Sequence, residues 1–180
     1  MSILLTSSAL LLTSGQALAL SVAASGGNNS FGVEASQAVA PGVRVGLGYL
    51  NTDYSGADAR IYSGSLMFSP ATPVLDIAVG GRYQYQDTDF GSGGGFGLGG
   101  SVFVNTPIPT LSVGGYGFVS PERLTHGDVQ ESYEYGLQAR ASLTSQIHVH
   151  GGYRYLRSDF SGTSNQTLHR GPVFGVSVGF

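Results

Sequence analysis

Four histidines and the polar residues around them are the first places in this chain where chemistry would be sought. His126 stands near Ser120 and Asp128, and His169 near Ser164, so each imidazole has a hydroxyl within a few residues and the first has a carboxylate as well. Hydrolysis by a serine needs those roles: a nucleophile, a base to take its proton and an acid to orient the base. Both groups fall in stretches rich in Gly, Asp, Ser and Asn, where such residues are ordinary loop formers. Neither is read as a catalytic set. The chain is expected not to be an enzyme, with no catalytic, cofactor-binding or metal-ligating residue to assign.

Two further patterns carry possible chemistry. His148-x-His150 places two imidazoles on one face of a strand, about 7 Å apart, which a metal could share if a carboxylate joined from a neighbouring strand. No third ligand lies nearby in sequence, and polar filling is the simpler role. Gly95-Phe96-Gly97-Leu98-Gly99-Gly100 has the spacing of the dinucleotide fingerprint. That motif works only between a strand and a helix N-terminus, and Ser101 to Asn105 continues as strand before Pro107. Glycine there more simply relieves crowding in a bent sheet.

These residues must be held by strands, because from residue 30 onward the dominant pattern is alternation with period two. Tyr133, Tyr135, Leu137, Ala139 and Ala141 take one face, and Glu134, Gly136, Gln138, Arg140 and Ser142 take the other. Leu75 to Gln86 and Ile147 to Arg157 repeat it, as do Val43 to Thr52 and Phe174 to Phe180. Phe31 to Val39, Arg60 to Phe68, Gly94 to Val104 and Leu111 to Val119 follow it less cleanly. Each is close to the ~9–11 residues that a strand needs to cross a bilayer. Short connections at Ala40 to Gly42, Ser69 to Pro73, Asn105 to Thr110 and Thr144 to Gln146 alternate with longer ones at Asp53 to Ala59, Asp87 to Gly93, Ser120 to Glu131 and Ser158 to His169.

Short turns at one end and long loops at the other are the outer-membrane arrangement. Up-and-down threading then puts Tyr49, Tyr54, Tyr62, Tyr83, Tyr85, Tyr116, Tyr133, Tyr135, Tyr153 and Tyr155 in the long-loop half or the adjoining loop. An interfacial girdle explains that clustering, and a soluble sandwich does not. The fold class expected is all-β: a closed antiparallel up-and-down transmembrane β-barrel of eight to ten strands. Nine strands are legible and single-chain bacterial barrels have even numbers, so Leu20 to Gly26 is taken as a short first strand, giving ten as the best count. Apolar faces turned to lipid leave Glu34, Arg44, Asp76, Arg82, Glu134, Arg140, His148, His150 and Arg154 in the lumen. A barrel this narrow is filled by side chains, so a paired polar core is expected.

Composition agrees. The 180 residues hold 29 Gly, no Cys and no Lys, and eight Arg face eleven Asp plus Glu for a net charge of -3. Disulfide, thiolate-metal and Cys-nucleophile chemistry are excluded, and no basic patch argues for nucleic acid. Residues 1–29 carry no charge, and the apolar run from Ile3 to Leu12 is followed by Ala17-Leu18-Ala19. Those features read as a signal peptide over residues 1–19, cleaved near Ala19, with the barrel over 20–180. The final Phe174 to Phe180, amphipathic and ending on an aromatic ring, is similar to the signal read by the barrel-assembly machinery. The partners expected are therefore outer-membrane lipids and that machinery, reached through the Phe180 strand, with the protein itself a monomer.

The C-terminal third resembles the YfaZ family, whose members are taken to be outer-membrane proteins of the Gram-negative cell envelope. The matching residues are Tyr116, Ser120-Pro121-Glu122-Arg123-Leu124-Thr125, Tyr133 and Gly136, Gly152-Tyr153-Arg154-Tyr155-Leu156, and Gly171-Pro172-Val173-Phe174-Gly175 through Phe180. The resemblance implies an outer-membrane location and no established activity. The function expected is a porin-like barrel of structural or surface-interaction type. The alternatives are a narrow channel and, behind it, an interfacial lipid or peptide hydrolase.

Overall fold

The structure is a computed structural model that describes residues 19–54, 56–70, 72 and 75–180, with the side chain of Ser164 set aside. The expected leader therefore lies outside the described residues, except for Ala19. Alternation is realised as eleven strands. They are β1 (Leu20–Gly27), β2 (Ser30–Ala40), β3 (Val43–Tyr54), β4 (Ala57–Phe68), β5 (Leu75–Thr88), β6 (Gly91–Asn105), β7 (Leu111–Ser120), β8 (Thr125–Gly127), β9 (Val129–Ser142), β10 (Ile147–Phe160) and β11 (Thr163–Gly179). All pair antiparallel. Neighbours run β5-β4-β3-β2-β1-β11-β10-β9-β7-β6, and β6 pairs back onto β5, so ten strands close a barrel. The three-residue β8 is a loop strand laid against β6. Closure leaves every wall strand paired on both sides, the condition hydrocarbon imposes on a β-structure.

The tenth strand is the short one: β1 pairs with both β2 and β11, with Gly27 opposite Ser30 on one side and Val173 on the other. Beyond that low hairpin, β3 and β11 lean together across the gap. Thr52 Oγ1 donates to the Leu168 carbonyl at 3.1 Å and the Asp53 amide to the Asn29 carbonyl at 2.8 Å. At the seam, the Phe180 amide donates to the Leu20 carbonyl at 2.8 Å.

The long connections differ from the sequence reading. Asp53 to Ala59, Asp87 to Gly93 and Ser158 to His169 are largely strand, with Tyr54 paired to Ala57, Thr88 to Gly91 and Phe160 to Thr163. The alternation signal stops where the apolar belt stops, because above the bilayer no face meets lipid. Backbone pairing needs no such contrast and continues. Only Ser120 to Glu131 is a composite loop, holding a 3-10 turn at Glu122–Leu124 and then β8.

Outward faces carry the belt expected of a lipid-facing wall: Leu47, Leu66, Val79, Leu98, Leu137 and Phe174 are all exposed. Glycine permits close strand approach where the wall bends. A Cβ on Gly99 would meet the Gly117 carbonyl oxygen at 2.0 Å, and one on Gly100 the Ala78 oxygen at 2.2 Å. The stretch resembling a nucleotide loop is thus sheet, paired to β5 on one side and to β7 and β8 on the other.

Candidate functional site

The lumen is the site to which the strands direct their chemistry, and it has three storeys. Register puts Glu34 opposite Gly48, Gly48 opposite Ser63 and Ser63 opposite Gln84, all on the inner face with Arg82. The inner face of β9 holds Ser132, Glu134, Gln138 and Arg140, and that of β10 holds His148, His150, Arg154 and Leu156. Every charged residue expected in the lumen faces it.

Glu134, buried, is the hub of the middle storey. Arg82 Nη2 lies 2.5 Å from its Oε2 and Arg154 Nε 3.5 Å from its Oε1. Arg154 also donates to the Tyr116 hydroxyl at 3.0 Å, and Arg82 to Gln84 Oε1 at 3.3 Å. The Arg82 guanidinium lies 4.2 Å from the Phe118 ring centroid. One carboxylate thus binds two guanidiniums whose remaining faces meet a phenol, an amide and a ring. Such satisfaction is what a buried charge requires. Tyr116 therefore departs from the girdle reading: it sits in the long-loop half, as expected, but points inward.

At the long-loop end the filling is apolar. Ala59, Ile61, Val129, Leu156, Phe160 and Leu168 form a buried cluster, with Leu50 and Phe90 packed against it. The polar groups at this level are paired in part: Gln86 Nε2 donates to Ser132 Oγ at 3.1 Å and Ser158 Oγ to Ser132 Oγ at 2.9 Å, while Gln86 Oε1 and His169 Nδ1 have no hydrogen-bond partner among the described residues. Thr52, Leu156 and Ser158 are all 0% exposed. Side chains close the barrel here.

The short-turn end is open by contrast. Arg140 approaches Asp76 at 3.7 Å and stacks 3.4 Å from the Phe103 centroid, while the Asp76 side chain is 61% exposed. Arg44 is exposed there too, and neither it nor Glu34, higher up in the inner row of Gly48, Ser63 and Gln84, takes part in the ion pairs among the described residues. His148 Nδ1 lies 2.9 Å from Ser142 Oγ, and His150 sits beside Gly175. Among the described residues no group of three His, Asp or Glu could hold a metal. The two imidazoles take up polar positions on the wall.

The His126 constellation is not assembled. Ser120 is buried, its Oγ directed at Gly97, whereas His126 is exposed, its Nε2 2.8 Å from the Tyr83 hydroxyl and its ring stacked on that phenol. Asp128 accepts instead from the Ser92 amide at 3.0 Å. His169 is buried, with Nε2 3.0 Å from Ser30 Oγ. The Ser164 side chain lies outside the described residues.

Sequence reasoning missed the apolar stopper and the ring platforms Phe103 and Phe118. Val129, Phe160 and Leu168 lay in stretches read as solvated loop. A large apolar residue recurring in such polar stretches was the signal available.

A closed single-chain barrel with an apolar outer belt, a charged interior and unequal connections is an outer-membrane protein, since strands cross hydrocarbon only in such a closed form. Solved structures of similar fold include the NanC porin (TM-score 0.48, 13% identity, covering 90% of this chain and 99% of that one). Others are the KdgM porin (0.47, 8%, 90% and 99%) and Neisserial surface protein A (0.43, 14%, 91% and 96%). No curated protein matches the chain. The family model described as YfaZ precursor matches residues 2–180, and the chain belongs to the YfaZ family.

Proposed function

We propose that the protein is a non-catalytic, non-conducting outer-membrane barrel of structural or surface-interaction type, with its contacts made by the hairpins at the long-loop end. The observation that carries this reading is the stopper of Ile61, Leu156, Phe160 and Leu168, which fills the lumen where a permeation path would leave the cell. Below it, the Arg82–Glu134–Arg154 bridge joins β5, β9 and β10 across the lumen. A conducting pore needs a continuous hydrated path.

A narrow channel is the second reading, favoured by the exposed Arg44 and Asp76 at the short-turn end. Planar-bilayer recording on purified protein separates the two. A silent membrane supports the filled barrel, and steady unitary currents overturn it.

The same proposal includes removal of residues 1–19 during export, a monomeric state, and recognition of the last strand by the assembly machinery. Phe180 supports the last point, with its ring exposed on the lipid side of the seam. Deleting Phe180 is expected to lower the amount of heat-modifiable protein in the outer-membrane fraction, and unchanged recovery would remove that part of the reading.

A further inference from the structure

The outer wall is not uniform. Its outward charges gather at the long-loop end, and they divide by sector. On β3 to β5 they are mainly acidic, with Asp53 directly opposite Asp58 and Asp87 opposite Arg60. On β10 and β11 they include Arg157 and Arg170. Arg157 is paired with Asp159 at 3.3 Å. Arg170 is exposed, forms none of the ion pairs among the described residues, and donates to the Tyr153 hydroxyl at 3.3 Å.

Register continues from that arginine along one lipid-facing row: Arg170, Tyr155, Tyr135, Gly117. Tyr135 and Tyr155 stack with centroids 5.0 Å apart. Beyond them the wall falls into a groove of about 420 Å³ floored by Gly100, Gly115 and Gly117 and edged by Val102, Tyr135 and Leu137. A second groove of about 370 Å³ runs over Ala139, Ala141 and Gly151 to Phe174. Leu137, 72% exposed, is the ridge between them.

We propose that this sector binds one molecule of a phosphorylated, multi-chain lipid of the outer leaflet. Acyl chains lie in the first groove beside Leu137, and a headgroup phosphate sits on Arg170 beyond the tyrosine stack. An apolar groove and an exposed guanidinium outside the ion pairs among the described residues, joined by one row of the sheet, match such an amphiphile. Arginine recognises phosphate bidentately, and interfacial tyrosines hold the level between chain and headgroup. The leaflet that meets the long loops of an outer membrane is lipopolysaccharide, which makes its lipid A portion the ligand to test.

The experiment reconstitutes the whole barrel in phosphatidylcholine nanodiscs containing either diphosphoryl lipid A or phosphatidylglycerol, and counts retained lipid by native mass spectrometry. Lipid A is expected to be kept in preference to both phospholipids. Arg170→Ala should lower its retention about ten-fold, the loss of one charge-assisted contact. Gly117→Leu fills the first groove without a backbone clash, since a Cβ there meets nothing nearer than 3.7 Å. It should lower retention about five-fold for either anionic lipid, because it removes chain contact rather than charge. Arg60→Ala, in the acidic sector, should change nothing. Equal retention of the three lipids, or no effect of Arg170→Ala, would overturn the proposal. So would preference for phosphatidylglycerol, or barrels found paired through this face.

Discussion

At the long-loop end of the barrel the lumen is shut by Ile61, Leu156, Phe160 and Leu168, and at the short-turn end Arg44, Asp76 and Arg140 stand near water. The same wall builds both, with inward positions two residues apart on the same strands. On β9 the inward series runs from Ser132 through Glu134 to Arg140, and on β10 from Leu156 through Arg154 to His148. Along each strand the filling passes from apolar or hydroxyl groups, through a member of the Arg82–Glu134–Arg154 bridge, to loosely paired polar groups. The difference teaches that closure and polarity are separate tasks here. A sealed end needs shape and few charges, whereas an open end keeps its charges hydrated and asks little of their pairing.

The sharpest way to break this comparison is at the storey between the two ends. Glu134→Ala removes the one carboxylate that pairs with both Arg82 and Arg154 and leaves two half-buried guanidiniums without that partner. A loss of about 4 kcal/mol is expected, as for other broken buried pairs. Urea unfolding of the refolded barrel, followed by loss of heat-modifiable mobility, measures it. A loss no larger than that of an exposed pair would mean that water reaches the middle storey and that the division into sealed and open halves is misplaced.

Next in size is the stopper itself. Leu156 is fully buried among Ile61, Phe160 and Leu168, and Leu156→Ala is expected to cost about 3 kcal/mol through lost burial and the cavity left behind. The same variant tests function. If the stopper alone closes the barrel, Leu156→Ala combined with Phe160→Ala should admit small ions in planar bilayers where the parent is silent. Continued silence would assign closure to the Arg82–Glu134–Arg154 bridge instead.

A smaller effect is expected at the gap over the short β1–β2 hairpin, where Thr52 joins β3 to β11. Thr52→Val keeps the shape and removes the hydrogen bond to the Leu168 carbonyl, leaving a buried acceptor unmet. About 1 kcal/mol should be lost, with local hydrogen exchange at Leu168 and His169 rising before the rest of the wall. Exchange rising uniformly would mean that the gap is not a separate element.

How far these features were legible follows from what each requires. Strand faces and lumen charges were readable because lipid on one side and a polar lumen on the other impose strict alternation, so Glu34, Arg82, Glu134 and Arg154 could be assigned inward from parity alone. The tenth strand was harder. Leu20 to Gly27 is short and built from small residues, and it was inferred from the need for an even count. The upper strand segments were hidden, since Phe160 and Leu168 sit in polar stretches whose outer face meets no lipid. Which carboxylate bridges which arginine depends on shear between strands distant in sequence, and parity carries no such information. The stacking of His126 on Tyr83 was not legible either, because it joins a loop residue to a strand 43 positions away.

The last test lies at the open end, where the comparison predicts almost nothing. Asp76 approaches Arg140 at 3.7 Å, but its side chain is 61% exposed, and the guanidinium has a second support in the Phe103 ring. An exposed pair is worth ~0–1 kcal/mol, and salt screens it further. Asp76→Asn keeps the shape and removes the charge, so its effect on stability should stay below about 0.5 kcal/mol and vanish in high salt. Phe103→Leu, which takes away the ring under Arg140 and leaves the charge pair intact, should cost more than Asp76→Asn, because that ring is buried while the carboxylate is wet. If the order is reversed, the short-turn end is drier than its exposure implies, and Arg140 is held by its charge rather than by stacking.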